Sequence, residues 1–202
     1  RHVHVVLSKA LKDAMKKGLV HRNVCQAVET PRVGQYEVQI PDNHQDIGRV
    51  LHLARATPFG ALLHFMAFTG VRCGEALALR WHNLGLDRGV AAITETVQRL
   101  TGKGLVFQST KSASGRRGIA LDANTVSILR EHRGIQLLHK VELEGVYQDQ
   151  GLVFPSPLGT PLDPGLLTKH WIRLVRDLGL RGLRLHDLRH AHAAGLIRAN
   201  AH

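Results

Sequence analysis

Only one stretch of this chain, Ala91 to Leu121, has the pattern of β-strands, and helical apolar spacing flanks it on both sides. Ala91 to Leu100 is rich in Thr, Val and Ile, and Thr101-Gly102-Lys103-Gly104 reads as a turn. Leu105 to Thr110 and Gly118 to Leu121 read as two further short strands. Branched side chains fit a pleated, half-buried surface better than a helix, so this segment stands out from its neighbours. The expected fold class is mainly α with a small three-stranded antiparallel sheet (α+β). At 202 residues the chain is long enough for one domain with a real core, or one domain plus a piece of another.

The helices are expected as follows. Val3, Val6, Leu7, Ala10, Leu11 and Ala14 give amphipathic spacing closed by Gly18, and Leu19 to Val28 suggest a short second helix. This piece, residues 1–29, is too small to bury a core alone. Thr30 to Pro41 holds two prolines, a glycine and polar residues without helical period, and reads as a linker (30–41). Residues 42–202 form the main domain. There Asp42 can cap a helix over Asn43 to Ala56, and Pro58 suits the first turn of a helix running to Phe68 and ending at Gly70. Arg72 opens a third helix expected to end near Trp81. Asp122 starts a helix to about Lys140 with Val126, Leu129, Leu137 and Leu138 inward, and Leu152 to Pro155 is a brief extended segment. Pro164 begins a helix to about Leu178, and the last helix starts near His186 and passes Ile197. Trp81 and Trp171 are expected in the core.

The formal net charge of +11, with a pI near 10.5, points to a polyanion as partner. Nucleic acid is the commonest polyanion, and an anionic membrane surface is the rival. No apolar run of about 18 residues and no signal peptide is present, so nothing reads as bilayer-spanning. Cys25 and Cys73 are too few for a disulfide scaffold or a cysteine-rich zinc site, and reduced, mostly buried thiols are expected. The fourteen histidines are scattered without metal-ligand spacing, so no metal and no cofactor is expected.

Three motifs carry the chemistry. In Arg184-Leu185-His186-Asp187-Leu188-Arg189-His190, a helix places His186 and Arg189 one turn apart on one face. An imidazole that moves a proton and a guanidinium that forks onto phosphate suit phosphoryl transfer. Thr69-Gly70-Val71-Arg72-Cys73-Gly74-Glu75 offers another arginine directly after a glycine turn. Thr110-Lys111-Ser112-Ala113-Ser114-Gly115-Arg116-Arg117 offers a lysine at a tight turn. In this order, over about Asp42 to His202, the three resemble the catalytic domain of tyrosine recombinases, the phage-integrase family.

The resemblance implies that Arg72 and Arg189 clamp the scissile phosphate, His186 accepts a proton and Lys111 is the general acid. Glu75 is a supporting residue that orients Arg72, and His190 supports the site as a further active-site histidine or a structural one. Arg116 and Arg117 are assigned to DNA-backbone contacts, which position a duplex without reading sequence. Asp187 favours the helix dipole at the start of the last helix. Residues 1–29 are similar to the closing helices of a core-binding domain. Double-stranded DNA is the implied partner, bound by a homo-oligomer that is tetrameric on DNA, in the prokaryotic cytoplasm or nucleoid.

Two features depart from the family pattern. Asn83 and Gly85 stand where acidic residues follow the tryptophan, with Asp87 slightly later. Tyr36 and Tyr147 are the only tyrosines, and neither follows the His186-x-x-Arg189 helix, so neither is assigned as nucleophile. With no methionine at Arg1 and a helical run up to His202, the sequence reads as a fragment cut at both ends, truncated before the nucleophilic tyrosine and inactive in strand cleavage by itself. The alternatives are a non-catalytic DNA-binding or regulatory protein with a vestigial site, a type IB topoisomerase, and a metal phosphohydrolase suggested by His186-Asp187.

Overall fold

The computed structural model describes residues 2–29, 44–109, 116–180 and 182–199, with residues 2 and 44 described by backbone alone. Contacts divide the chain into two units, Arg1–Gln39 and Ile40–His202. The linker expected at 30–41 and the cap expected at Asp42 lie outside the described residues.

In the first unit α1 (His2–Lys16) is followed by Gly18 at φ 69°, where the helix ends as its spacing predicts. The second helix expected over Leu19 to Val28 is a single 3-10 turn, Val24–Ala27. Side-chain hydrogen bonds tie this turn to α1 where apolar packing is thin. The Asn23 amide donates to the Ser8 carbonyl and hydroxyl, each at 3.0 Å, while its oxygen accepts from the Cys25 amide at 3.1 Å. Val3, Val6 and Leu7 are exposed, since so short a unit cannot cover them.

The second unit contains α2 (His44–Ala54), α3 (Gly60–Thr69) and α4 (Cys73–Leu77), then strands β1 (Leu84–Gly85), β2 (Val90–Ile93), β3 (Glu95–Leu100), β4 (Gly104–Ser109) and β5 (Arg117–Ala120). Helices α5 (Ala123–Glu142), α6 (Pro164–Asp177) and α7 (Asp187–Arg198) complete it. The expected fold class is correct: the unit is mainly helical with a small antiparallel sheet. The sheet differs in detail. The first expected strand is interrupted at Thr94, so β2 pairs with β1 and β5 while β3 and β4 form a separate hairpin. Alternation along β2 buries Ala91 and Ile93 and exposes Val90 and Ala92, the two-residue period of a strand with one face inward.

Three helical expectations change for local reasons. Pro58 stays outside α3, because Thr57 forms a turn of its own, donating to the Ala54 carbonyl at 2.7 Å and accepting from the Phe59 amide at 3.3 Å. The helix from Arg72 stops at Leu77 and does not reach Trp81. Residues 79–81 run extended against 151–153 instead. The Val153 amide donates to the Leu79 carbonyl at 2.8 Å, the Trp81 amide donates to the Gly151 carbonyl at 2.9 Å, and Arg80 bridges Leu152. On α5, Leu137 and Leu138 point outward (52% and 65% exposed) and Gln136 takes the inward position. The core accepts this amide because both its ends are satisfied. Gln136 receives the Trp81 indole N–H at 2.6 Å and donates to the Leu152 carbonyl at 3.0 Å.

One core joins these elements, with Leu63, Phe65, Leu77, Ile93, Leu129, Leu167, Trp171 and Leu188 fully buried or nearly so. Trp171 of α6 donates its indole N–H to the Leu183 carbonyl at 3.0 Å, which fixes the segment leading into α7. Helix α4 reaches β3 through Gly74, where an added Cβ would lie 2.5 Å from the Val97 carbonyl oxygen. Only glycine permits so close an approach. This contact sets α4, and with it Arg72, against the β region.

Candidate active site

Helix α3 ends at Gly70 in the left-handed conformation (φ 61°), whose amide returns to the Met66 carbonyl. Val71 is buried, and Arg72 in extended conformation caps α4. The chain thus turns sharply between two helices, and Arg72 leaves the turn with its side chain 61% exposed.

Glu75, one turn further on, is 5% exposed and makes four hydrogen bonds among the described residues. Its Oε1 accepts from Arg72 Nη1 at 3.1 Å and from Arg117 Nη1 at 3.2 Å. Its Oε2 accepts from the Arg72 amide at 2.9 Å and from Arg117 Nη2 at 2.7 Å. One buried carboxylate therefore joins the N-terminus of α4 to the first residue of β5. Burial raises the Glu75 pKa, but the bonds from Arg117 and Arg72 outweigh it and hold the carboxyl at about 2. Cys73, beside Arg72, is pushed up to about 11 by burial and remains a thiol.

The His186 motif reaches the same turn from α7. Arg189 Nη1 donates to the Gly70 carbonyl, two residues before Arg72. His192, one turn beyond Arg189, lies with its ring against Gly70. His186 precedes α7, and its ring meets that of His190 edge-on at 4.8 Å between centroids. Burial, with the neighbouring His190 and Arg189, lowers the His186 imidazole pKa from its ordinary value, which favours the neutral form. Asp187 is buried and accepts from the Arg184 amide at 2.7 Å and from Arg184 Nη2 at 3.2 Å, which closes the first turn of α7.

Of the residues the motifs single out, Arg72 and Glu75 meet directly, and Arg189 is bonded to their turn. His186 and His190 stand at the start of the helix that carries Arg189. Arg116 is exposed, and Arg117 has its guanidinium on Glu75. Lys111 lies outside the described residues. The sequence reading missed two interactions, the Arg117–Glu75 ion pair and the packing of His192 on Gly70. The second had a signal, since His192 follows Arg189 by three residues and shares its face.

Gly70→Ala is expected to destabilise the protein by roughly 1–3 kcal/mol. It places a side chain in left-handed backbone and brings a Cβ to 2.5 Å from His192 Cδ2. A thermal melt of the variant checks this, and an unchanged midpoint would mean that the turn tolerates a side chain.

Residues 43–202 match the phage integrase family. The chain is 26% identical to an integrase of Saccharopolyspora erythraea over an alignment 247 positions long, gaps included, covering 96% of this chain and 56% of that protein. It is 29% identical to the integrase of Staphylococcus phage L54a over 168 residues, covering 81% of this chain and 46% of that protein. The chain thus spans about half the length of the curated relatives it matches. The fold is similar to that of the Tn1549 transposon integrase in complex with a circular intermediate DNA (TM-score 0.73, 16% identity, 100% of this chain and 67% of that one). It is also similar to XerA recombinase (TM-score 0.63, 18% identity, 86% and 54%). With the family model covering the whole segment from α2 to the end of the chain, the chain belongs to the phage integrase family.

Proposed function

We propose that this chain is the catalytic region of a site-specific DNA recombinase that breaks and rejoins strands through a 3′-phosphotyrosyl intermediate without a metal ion. The observation that carries the reading is the bond from Arg189 to the Gly70 carbonyl, which holds one motif arginine against the turn that presents the other. Relatives in the phage integrase family and structural neighbours bound to DNA support it.

Attack on a phosphodiester develops negative charge on the two non-bridging oxygens as phosphorus becomes five-coordinate. Preorganised guanidinium groups, Arg72 and Arg189, stabilise that charge and stay protonated throughout. A tyrosine hydroxyl attacks phosphorus and loses its proton to neutral His186. The P–O5′ bond breaks, Lys111 protonates the departing 5′ oxygen, and the 3′ phosphate stays on the enzyme as a phosphotyrosine. Rejoining runs the same steps in reverse from another strand's 5′ hydroxyl. The nucleophile is a tyrosine following α7 in the protein that carries this chain; neither Tyr36 nor Tyr147 takes that part. His190 supports His186, and Arg116 grips the DNA backbone. The working assembly is a tetramer on duplex DNA in a prokaryotic cytoplasm, serving a mobile element.

Binding to duplex DNA is expected to weaken steeply with salt, because each Lys or Arg on a phosphate releases a counterion. The measurement is Kd by fluorescence anisotropy from about 50 to 200 mM salt, where several phosphate contacts give a loss of at least about 10²-fold. A flat dependence would remove DNA as the partner.

A further inference from the structure

A carboxylate beside a phosphate clamp presents a chemical difficulty. Glu75 orients Arg72, yet its negative charge also competes with the phosphate for the same guanidinium. Two planar groups of this kind prefer to meet fork on fork through two parallel bonds. An Arg72–Glu75 pair closed in that way would be electrically neutral and would offer little to an incoming anion.

The geometry around Glu75 prevents that closure. Among the described residues, the Arg72 guanidinium meets Glu75 through Nη1 alone, at 3.1 Å. The fork-on-fork partner is Arg117, with Nη1 on Oε1 at 3.2 Å and Nη2 on Oε2 at 2.7 Å. The remaining bond to Oε2 comes from the Arg72 backbone amide at 2.9 Å, so all four acceptor positions of the carboxylate are in use. Two guanidinium charges face one carboxylate, which leaves a surplus of one positive charge. That surplus sits where it is accessible, since the Arg72 side chain is 61% exposed and that of Arg117 only 29%.

We propose that Arg117 is a positioning residue for strand cleavage, one that holds Glu75 fork on fork so that Arg72 keeps its charge and its remaining N–H donors for the scissile phosphate. The proposal rests on the recombinase reading and gives Arg117 a part in the chemical step, beyond the backbone contact expected from sequence. It also explains why a buried acid is tolerated next to the clamp: Arg117 neutralises it from the inner side, and Arg72 contributes one donor for orientation.

The test uses the protein with its nucleophilic tyrosine and measures single-turnover covalent-complex formation at saturating duplex DNA, with Kd measured separately. Arg117→Gln is expected to slow cleavage about tenfold or more while Kd changes less than about threefold. Adding Glu75→Gln removes the quenching charge, so the double variant is expected to cleave faster than Arg117→Gln alone. A merely structural role gives the opposite, because removing the second partner can only loosen the site further. Arg117→Lys keeps a cation on Glu75 and is expected to retain most of the rate; if Arg117→Gln does not fold, the same comparison is made with Arg117→Met, which keeps the length of the side chain without its charge, against Glu75→Gln/Arg117→Met. A wild-type rate in Arg117→Gln, or a double variant no faster than its parent, overturns the proposal alone. A wild-type protein that forms no covalent complex removes the recombinase reading along with it.

Discussion

Arg72→Ala and Arg189→Ala are each expected to lower covalent cleavage of duplex DNA by about 10²-fold or more, in a protein that carries the nucleophilic tyrosine. Duplex affinity should change little, because many basic side chains share the backbone contacts of a chain with net charge +11. The effect is large because preorganised charge on the non-bridging oxygens acts in the transition state more than in the ground state. The two variants differ in a second respect. Arg189 also bonds the Gly70 carbonyl, so Arg189→Ala should lower the melting midpoint as well, whereas Arg72→Ala removes one donor from a Glu75 that Arg117 still holds by two bonds and should lower it less. Single-turnover cleavage alongside thermal melts separates the two effects. Near-normal cleavage in either variant removes that arginine from the site.

The second large effect falls on stability. Glu75→Ala takes the counter-charge from the half-buried Arg117 and the acceptor from the Arg72 backbone amide, and breaking a largely buried pair from one side costs on the order of 3 kcal/mol. The pH dependence has a definite sign. The folded-state value of about 2 lies below the ordinary 4.5, so ionised Glu75 stabilises the fold fully above about pH 4.5. That contribution fades as the pH falls towards 2. A difference of that size corresponds to roughly 3 kcal/mol, in line with the mutational figure. The gap in melting midpoint between wild type and Glu75→Gln should therefore be wide at pH 6 and narrow steadily below pH 4. A gap that stays constant with pH would mean that the ion pairs at Glu75 add nothing to stability.

How much was legible in the sequence depended on how local each interaction is. Arg72 and Glu75 are three apart, as are His186 and Arg189, so helical spacing alone brings each pair to one face. The helix termini at Gly70, Asp122 and Pro164 follow from backbone preferences of single residues and lie where expected. The Arg117–Glu75 pair spans 42 residues and depends on β5 starting beside α4, which no spacing encodes. The same limit explains the helix that stops at Leu77. Ala78 and Leu79 suit a helix, but pairing of residues 79–81 with 151–153 holds the chain extended, and that partner lies some 70 residues away. On α5, Leu137 and Leu138 look like core residues and Gln136 does not. The amide is inward because the Trp81 N–H and the Leu152 carbonyl both need a partner there.

A crystal structure of the protein on duplex DNA with an unreactive tyrosine replacement tests the shared-phosphate site most directly. The expected result is Arg72 and Arg189 both donating to the non-bridging oxygens of a single phosphate, at about 2.7–2.9 Å, with His186 facing the attacking position. Arg72 and Arg189 bound to different phosphates, or turned away from the DNA, would contradict it.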